Sequence, residues 1–158
     1  MANTKTNAMR ILAAKKIDYD MFTYSAEDGK IDGMSVAQKI GKNPEYVYKT
    51  LVTQGSDKQI YVFVIPIERE VDLKKAAKAA NVKKLDMLPV KDIQKWTGYI
   101  RGGCSPIGMK KLYPTFFDEH AANIDRIVVS GGKIGIQIEV EVRKLQEIVE
   151  AKFADVVK

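Results

Sequence analysis

Few residues in this chain can do covalent chemistry. Cys104 and His120 are each the only one of their kind. A metal site needs several His, Cys or carboxylate ligands at set spacing, so none is expected. Nucleophilic catalysis needs a base beside the nucleophile. Cys104–His120 and Ser105–His120 both remain open, because sequence separation does not forbid contact. Yet Cys104 stands between Gly103 and Ser105 in a tightly turned segment, which favours a small packing residue over a reactive thiol.

Lys49-Thr50, a cation beside a hydroxyl, and two glycine-rich segments are further features of the chain. Arg101-Gly-Gly-Cys-Ser-Pro-Ile-Gly108 reads as a loop leaving a short strand that ends in Tyr99-Ile100. It carries neither the Gly-Lys-Ser/Thr ending of a phosphate-binding loop nor the dinucleotide pattern. Ser130-Gly131-Gly132 follows the strongest strand signal and reads as a hairpin turn. Each feature alone is ordinary: a tight connection, a turn, and a lysine complementing a helix end. Together they could bring backbone N–H and C=O groups close to a ligand without a Cβ in the way.

The elements that must position them follow from periodicity and capping. Residues 8–16 read as an amphipathic helix and residues 20–24 as a strand. Ser35-Val-Ala-Gln38 has the form of a capping box for a short helix that Gly41 ends. Asn43-Pro44 caps a helix over residues 45–49, which runs into an extended segment over 50–54. Residues 59–67 are apolar on both faces and should form a central strand. Asp72 caps a helix over 73–80, a short extended piece follows at 85–89, and 90–96 is helical. Residues 110–117 are extended with Pro114 at an edge, and 118–122 form a turn or short helix. Residues 126–130 and 134–139 form the hairpin, and a last helix covers 142–152.

Strands and helices are mixed and several strands are joined tightly. The expected fold is therefore α/β: one compact domain over residues 1–158, with a mixed, mostly antiparallel, barrel-like sheet surrounded by helices. At 46% hydrophobic, the chain can bury a core. Its net charge of +6, with lysines clustered at 74–75, 78, 83–84 and 110–111, favours an anionic partner. No apolar run approaches the ~20 residues that span a bilayer. The polar segment 1–7 has no apolar core of a signal peptide. With a single cysteine, the expected compartment is the reducing cytoplasm.

Taken in order, Tyr48-Lys49-Thr50-Leu51, Thr97 to Lys111, Val129-Ser-Gly-Gly-Lys133, Ile138-Glu139 and Ala151-Lys-Phe-Ala-Asp155 form one pattern. Asn43-Pro44 and the run from Asp72 to Ala79 belong to it as well. The pattern resembles the YbaK/EbsC family, bacterial Cys-tRNA(Pro)/Cys-tRNA(Cys) deacylases, from about Tyr24 to Asp155. Its superfamily includes the editing domain of prolyl-tRNA synthetase and free Ala-tRNA(Pro) deacylases.

The resemblance implies hydrolytic editing of mischarged tRNA with no cofactor. The substrate's own thiol would attack its ester carbonyl, releasing cysteine as a thiolactone, so positioning matters more than a protein nucleophile. It implies Lys49 and Thr50 as catalytic residues. It implies substrate contacts from Tyr24, Gly102, Gly103, Ser130, Gly131 and Gln137. Partners would be the aminoacyl-tRNA and, in a ternary complex, prolyl-tRNA synthetase, with no membrane involved. At Gln137 the family often has an aspartate, which puts amino-acid preference in question. The loop from Glu27 to Met34 is divergent, and relatives can carry an aliphatic residue at the Cys104 position. A sister deacylase for a small residue such as alanine, and a non-catalytic tRNA- or nucleotide-binding module, are the competing readings.

Overall fold

The computed structural model describes residues 5–158. Part of the polar segment read as lacking a signal peptide, residues 1–4, lies outside the described residues. Helix α1 (Asn7–Ala14) starts where the Thr6 hydroxyl accepts the Met9 N–H, and it buries Ala8, Met9 and Leu12. It stops two residues short of the expected end, and Lys16 takes a left-handed conformation at φ +58°. Strand β1 (Tyr19–Thr23) follows.

Helix α2 (Gly33–Ile40) corrects the capping-box reading. Its cap is Asp32, whose carboxylate accepts from the Ser35 N–H at 3.1 Å, so Ser35 already lies inside the first turn. A carboxylate suits the positive end of the helix, and Gly41 closes it in the left-handed region as expected.

The helix expected over 45–49 is a single 3-10 turn, Pro44–Tyr46, capped by Asn43. Lys49 therefore complements no helix end. It lies inside strand β2 (Tyr48–Gly55), whose residues pair with β3 (Ile60–Pro66) throughout. A run of β-branched and aromatic residues against a fully buried neighbour outweighs local helix propensity.

Helix α3 (Leu73–Ala80) is capped by Asp72 as read, β4 (Leu85–Met87) is the short extended piece, and α4 (Val90–Thr97) ends at left-handed Gly98. The glycine loop thus leaves a helix, and Tyr99-Ile100 is not a strand. Strand β5 (Thr115–Asp118) lies inside its sheet, between β3 and β8. Pro114 precedes it instead of sitting on an edge, and its carbonyl accepts the Val62 N–H. A 3-10 turn (Glu119–Asn123) leads to β6 (Arg126–Lys133) and β7 (Ile136–Glu141).

The turn of this hairpin is at Ile134-Gly135. Gly131-Gly132 instead sit in a register shift of β6 between Ser130 and Lys133, a bulge in the strand. Helix α5 (Val142–Val149) stops at left-handed Glu150, short of the expected residue 152, and the chain adds β8 (Lys152–Ala154).

The strands make two sheets. One is antiparallel, in the order β1-β7-β6; the other is mixed, β4-β2-β3-β5-β8, with parallel pairing of β3 with β5 and β5 with β8. The mixed, mostly antiparallel α/β reading holds, with two sheets in place of one barrel-like sheet. A parallel bridge from Val47 to Val128 ties them. Every residue of β3 is buried, as its two-faced apolar run requires. One face of the mixed sheet gives Val64 and Phe117 to a core shared with α1, α5 and the antiparallel sheet. The other packs Phe63, Ile65 and Phe116 against Ala76 and Ala77 of α3.

Candidate active site

The two sheets part just beyond the Val47–Val128 bridge. Tyr48, Lys49 and Thr50 pair only with β3, because β4 covers β2 only from Thr53 to Gly55. A cavity of about 120 Å³ opens at this seam. Tyr48, Lys49 and Thr50 line it from β2, Ser130 from β6, Gln137 from β7, and Gly102 and Cys104 from the glycine loop. Ile31, Gly33, Val36, Val47 and Ile67 complete an apolar wall.

Five of the eight residues singled out from the sequence thus meet at one cavity: Lys49, Thr50, Gly102, Ser130 and Gln137. Tyr24, Gly103 and Gly131 do not line it. Gly103 holds the loop against the hairpin turn, where a Cβ would lie 2.9 Å from the Ile134 nitrogen and 3.0 Å from the Lys133 carbonyl carbon. Gly131 gives its carbonyl to the Thr6 hydroxyl at 2.5 Å. Tyr24 follows β1, with the Lys39 ammonium 5.9 Å from its ring centre and its hydroxyl buried without a partner among the described residues.

The polar groups at the cavity are unevenly satisfied. Ser130 Oγ accepts the Gly132 N–H at 3.2 Å, which shapes the bulge. The Thr50 hydroxyl is buried and has no hydrogen-bond partner among the described residues. Gln137 is 7% exposed, and its amide makes no hydrogen bond among the described residues. Lys49 makes no ion pair among the described residues. Burial holds its ammonium below the ordinary lysine range, with the Glu70 carboxylate opposing that shift.

Cys104 is buried, packs with Val52, Val62 and Tyr99, and also lines the cavity. Burial pushes its thiol up to about 11, against a smaller opposing hydrogen bond with Thr97, so the thiolate is scarce at neutral pH. His120 is not at the cavity. Its Nδ1 faces the fully buried Asp118 carboxylate at the end of β5. No group of three or more His, Cys, Asp or Glu among the described residues is placed to hold a metal ion.

Three loops converge on the cavity's glycine wall. A Cβ on Gly102 would lie 2.9 Å from Ile31 Cδ1 and 3.4 Å from Ile134 Cγ1. Beside these contacts stand Lys30, Arg101 and Lys133, all exposed and without an ion pair among the described residues. Ile31 and Gly33 belong to the divergent loop 27–34, read from the sequence as a segment that shapes the pocket wall, whereas Tyr48, Val36, Val47 and Ile67 were not singled out as site residues. Their role depends on where the two sheets part, which no local pattern records.

The chain that carries this cavity matches the model of the aminoacyl-tRNA editing domain. The family model of that description matches residues 33–148, and the chain belongs to this family. Over 152 residues the chain is 43% identical to an Enterococcus faecalis (strain ATCC 700802 / V583) protein named "Putative Cys-tRNA(Pro)/Cys-tRNA(Cys) deacylase EbsC", across 96% of this chain and 93% of that protein. The YbaK/EbsC resemblance read from the residues is borne out.

A solved structure described as a "putative trans-editing enzyme for prolyl tRNA synthetase" matches with a TM-score of 0.83 at 21% identity, covering 99% of both chains. A protein described as hypothetical matches with a TM-score of 0.87 at 19% identity, over 97% of this chain and 100% of that one. At such identities the likeness is one of fold. No helix among the described residues is long and apolar enough to cross a membrane.

Proposed function

We propose that this aminoacyl-tRNA deacylase removes cysteine from Cys-tRNA(Pro), and from Cys-tRNA(Cys), as one catalytic domain over residues 1–158 working in the cytoplasm. In this reading the substrate supplies the nucleophile. Its side-chain sulfur bonds to the ester carbonyl carbon, the bond from that carbon to the ribose oxygen breaks, and the thiol proton passes to the ribose oxygen. Cysteine leaves as a four-membered thiolactone, and water then opens the ring to the free amino acid.

The observation that carries this reading is the composition of the cavity wall. It offers a cation and hydroxyls for positioning, while its own thiol is held protonated by burial. Lys49 stabilises negative charge developing on the ester or holds the terminal phosphate, and Thr50 donates a hydrogen bond at the ester. Gly102 presents backbone at the aminoacyl group, with Gly103 and Gly131 fixing the segments behind it. Ser130 and Gln137 face the amino acid, and Tyr24 supports the wall from behind β1. Prolyl-tRNA synthetase in a ternary complex would select the tRNA.

A panel of charged tRNAs tests the reading: Cys-tRNA(Pro), Ser-tRNA(Pro), Ala-tRNA(Pro) and Cys-tRNA(Cys), with and without the synthetase. Cysteine esters should be cleaved fastest, with thiolactone detected by mass spectrometry. Serine differs from cysteine only by oxygen for sulfur, so equal cleavage of the two would overturn the thiol mechanism. Preferred cleavage of Ala-tRNA(Pro) would make the chain a sister deacylase, and no turnover with salt-sensitive binding would make it a binding module.

A further inference from the structure

The cavity wall beside Gly102 comes from a segment with little structure of its own. Residues 25–31, between β1 and α2, form no helix or strand. Their hydrogen bonds to one another are local: the Glu27 N–H donates to Ser25 Oγ, the Gly29 N–H to the Ala26 carbonyl, and the Lys30 N–H to Asp28 Oδ1. Yet the segment ends in Ile31, which lines the cavity and whose Cδ1 lies 2.9 Å from where a Cβ on Gly102 would stand.

One side chain ties this segment to the body of the protein. Lys39 stands in the last turn of α2. Its ammonium donates to the Ser25 carbonyl at 2.8 Å, to Asp28 Oδ1 at 2.8 Å and to the Lys30 carbonyl at 3.0 Å. An ammonium has three N–H donors, so all of them go to this one segment. Among the described residues, 25–31 make no other hydrogen bond to the rest of the chain. The Lys30 carbonyl belongs to the peptide bond that enters Ile31, and on the other side of Ile31 the Asp32 carboxylate caps α2. Ile31 is therefore held from both ends of one helix.

From this geometry we infer that Lys39 is a positioning residue of the deacylation site: by holding residues 25–30 it seats Ile31 beside Gly102 and fixes the wall against which the aminoacyl ester lies. The inference rests on the deacylase reading. A lone exposed ion pair such as Lys39–Asp28 contributes little to stability. What the ammonium supplies is geometry, because a carboxylate and two carbonyls converge on one compact charge. Its hydrogen bond holds the Asp28 carboxyl below the ordinary carboxylate range, so that partner stays ionised at neutral pH. In the deacylase reading Gly102 presents backbone at the aminoacyl group. A wall that drifts there leaves the reacting sulfur and carbonyl out of line.

The test is Lys39→Met, which keeps an unbranched side chain and removes the ammonium. Hydrogen exchange of the free protein and steady-state cleavage of Cys-tRNA(Pro) are measured on variant and wild type. Amides of residues 25–31 should exchange about tenfold faster or more in the variant, with those of β3 unchanged. The kcat should fall by about 10- to 100-fold, with KM within about threefold. Ile31→Ala removes the group that Lys39 places, so in that background Lys39→Met should lower kcat by less than about threefold further.

An unchanged kcat in Lys39→Met overturns the inference, and so does unchanged exchange in 25–31. A double variant that shows the full product of the two single effects overturns it as well, since Lys39 would then not act through Ile31. If urea unfolding shows that Lys39→Met has lost its fold, Asp28→Asn decides instead. That variant keeps Lys39 and its two carbonyl contacts, and its kcat should fall in the same direction by a smaller factor; an unchanged kcat there overturns the inference. Wild-type protein inactive on every charged tRNA overturns the deacylase reading itself, and this inference with it. Wild-type turnover with an equally active Lys39→Met variant sinks this inference alone.

Discussion

At the scale of single residues, Lys49 carries the only charge among the described residues that line the cavity. It sits near the start of β2 instead of at a helix end, and burial makes its charged form costly. A lysine whose folded pKa is lowered destabilises the fold where it is charged in both states. That penalty is relieved as pH rises through the folded value. Replacing it with an uncharged side chain of similar length should therefore leave the neutral-pH unfolding midpoint unchanged or higher.

Activity should move the other way, with Lys49→Met losing about 10²–10³-fold in kcat/KM. In the proposed mechanism the working form is the cation, so the pH profile of the wild-type enzyme should fall on its alkaline side below the ordinary lysine range. Glu70→Gln removes the carboxylate that opposes the shift, so the fall should begin at lower pH still. The uncatalysed alkaline hydrolysis of the ester is subtracted at each pH. A Lys49→Met enzyme of normal rate, or an alkaline limb that Glu70→Gln leaves in place, would remove the cation from the mechanism.

At the scale of elements, the parts legible in the sequence are those written in local chemistry. Asp72 capping α3, Gly41 closing α2 and the two-faced apolar run of β3 each follow from a few adjacent residues. The misplaced parts depend on distant partners. Residues 45–49 carry a helix start, but pairing with β3 draws Tyr48 onward into a strand. Ser130-Gly-Gly looks like a turn, yet β6 goes on pairing with β7 as far as Lys133–Ile136, and the chain turns at Ile134-Gly135. The site was legible as residue types, and its cavity was not, since the cavity exists only where two sheets diverge.

Gly103 shows the consequence. A Cβ there would lie 2.9 Å from the Ile134 nitrogen and 3.1 Å from Lys133 Cα, backbone atoms that cannot rotate away. Gly103→Ala should lower stability by ~1–3 kcal/mol and depress activity by pushing the loop off the turn. Gly29→Ala is the comparison: its φ is +75° but nothing lies within 4 Å, so it should lower stability by only ~1 kcal/mol and spare kcat. Chemical denaturation and steady-state kinetics on both variants decide the matter. Equal losses of activity would show that the loop does not need its contact with the turn.

At the scale of the whole molecule, a net charge of +6 is too small to choose a tRNA by itself, so its placement matters more than its size. Two acidic residues of the 27–34 segment are engaged: Asp28 pairs with Lys39 at 2.8 Å, and Asp32 caps α2. Lys30, Arg101 and Lys133 stand exposed on the three loops that meet at Gly102 and Gly103. In the proposed function the 3′ end enters the cavity, and its phosphates would then pass these loops. Each cation that meets a phosphate releases a counterion, so binding weakens as salt rises.

Such contacts act equally in ground and transition states, which raises KM and leaves kcat alone when they are lost. Arg101→Ala with Lys133→Ala should therefore raise KM for full-length Cys-tRNA(Pro) by about tenfold or more at moderate salt, at unchanged kcat. The slope of log KM against log salt should flatten by about two, one for each contact removed. Cysteinyl-adenosine, which carries the ester but no backbone phosphates, should be cleaved by the double variant as well as by wild type. Loss of activity on that small substrate would place Arg101 or Lys133 in the chemistry, and an unchanged salt slope would place the tRNA on another face of the molecule.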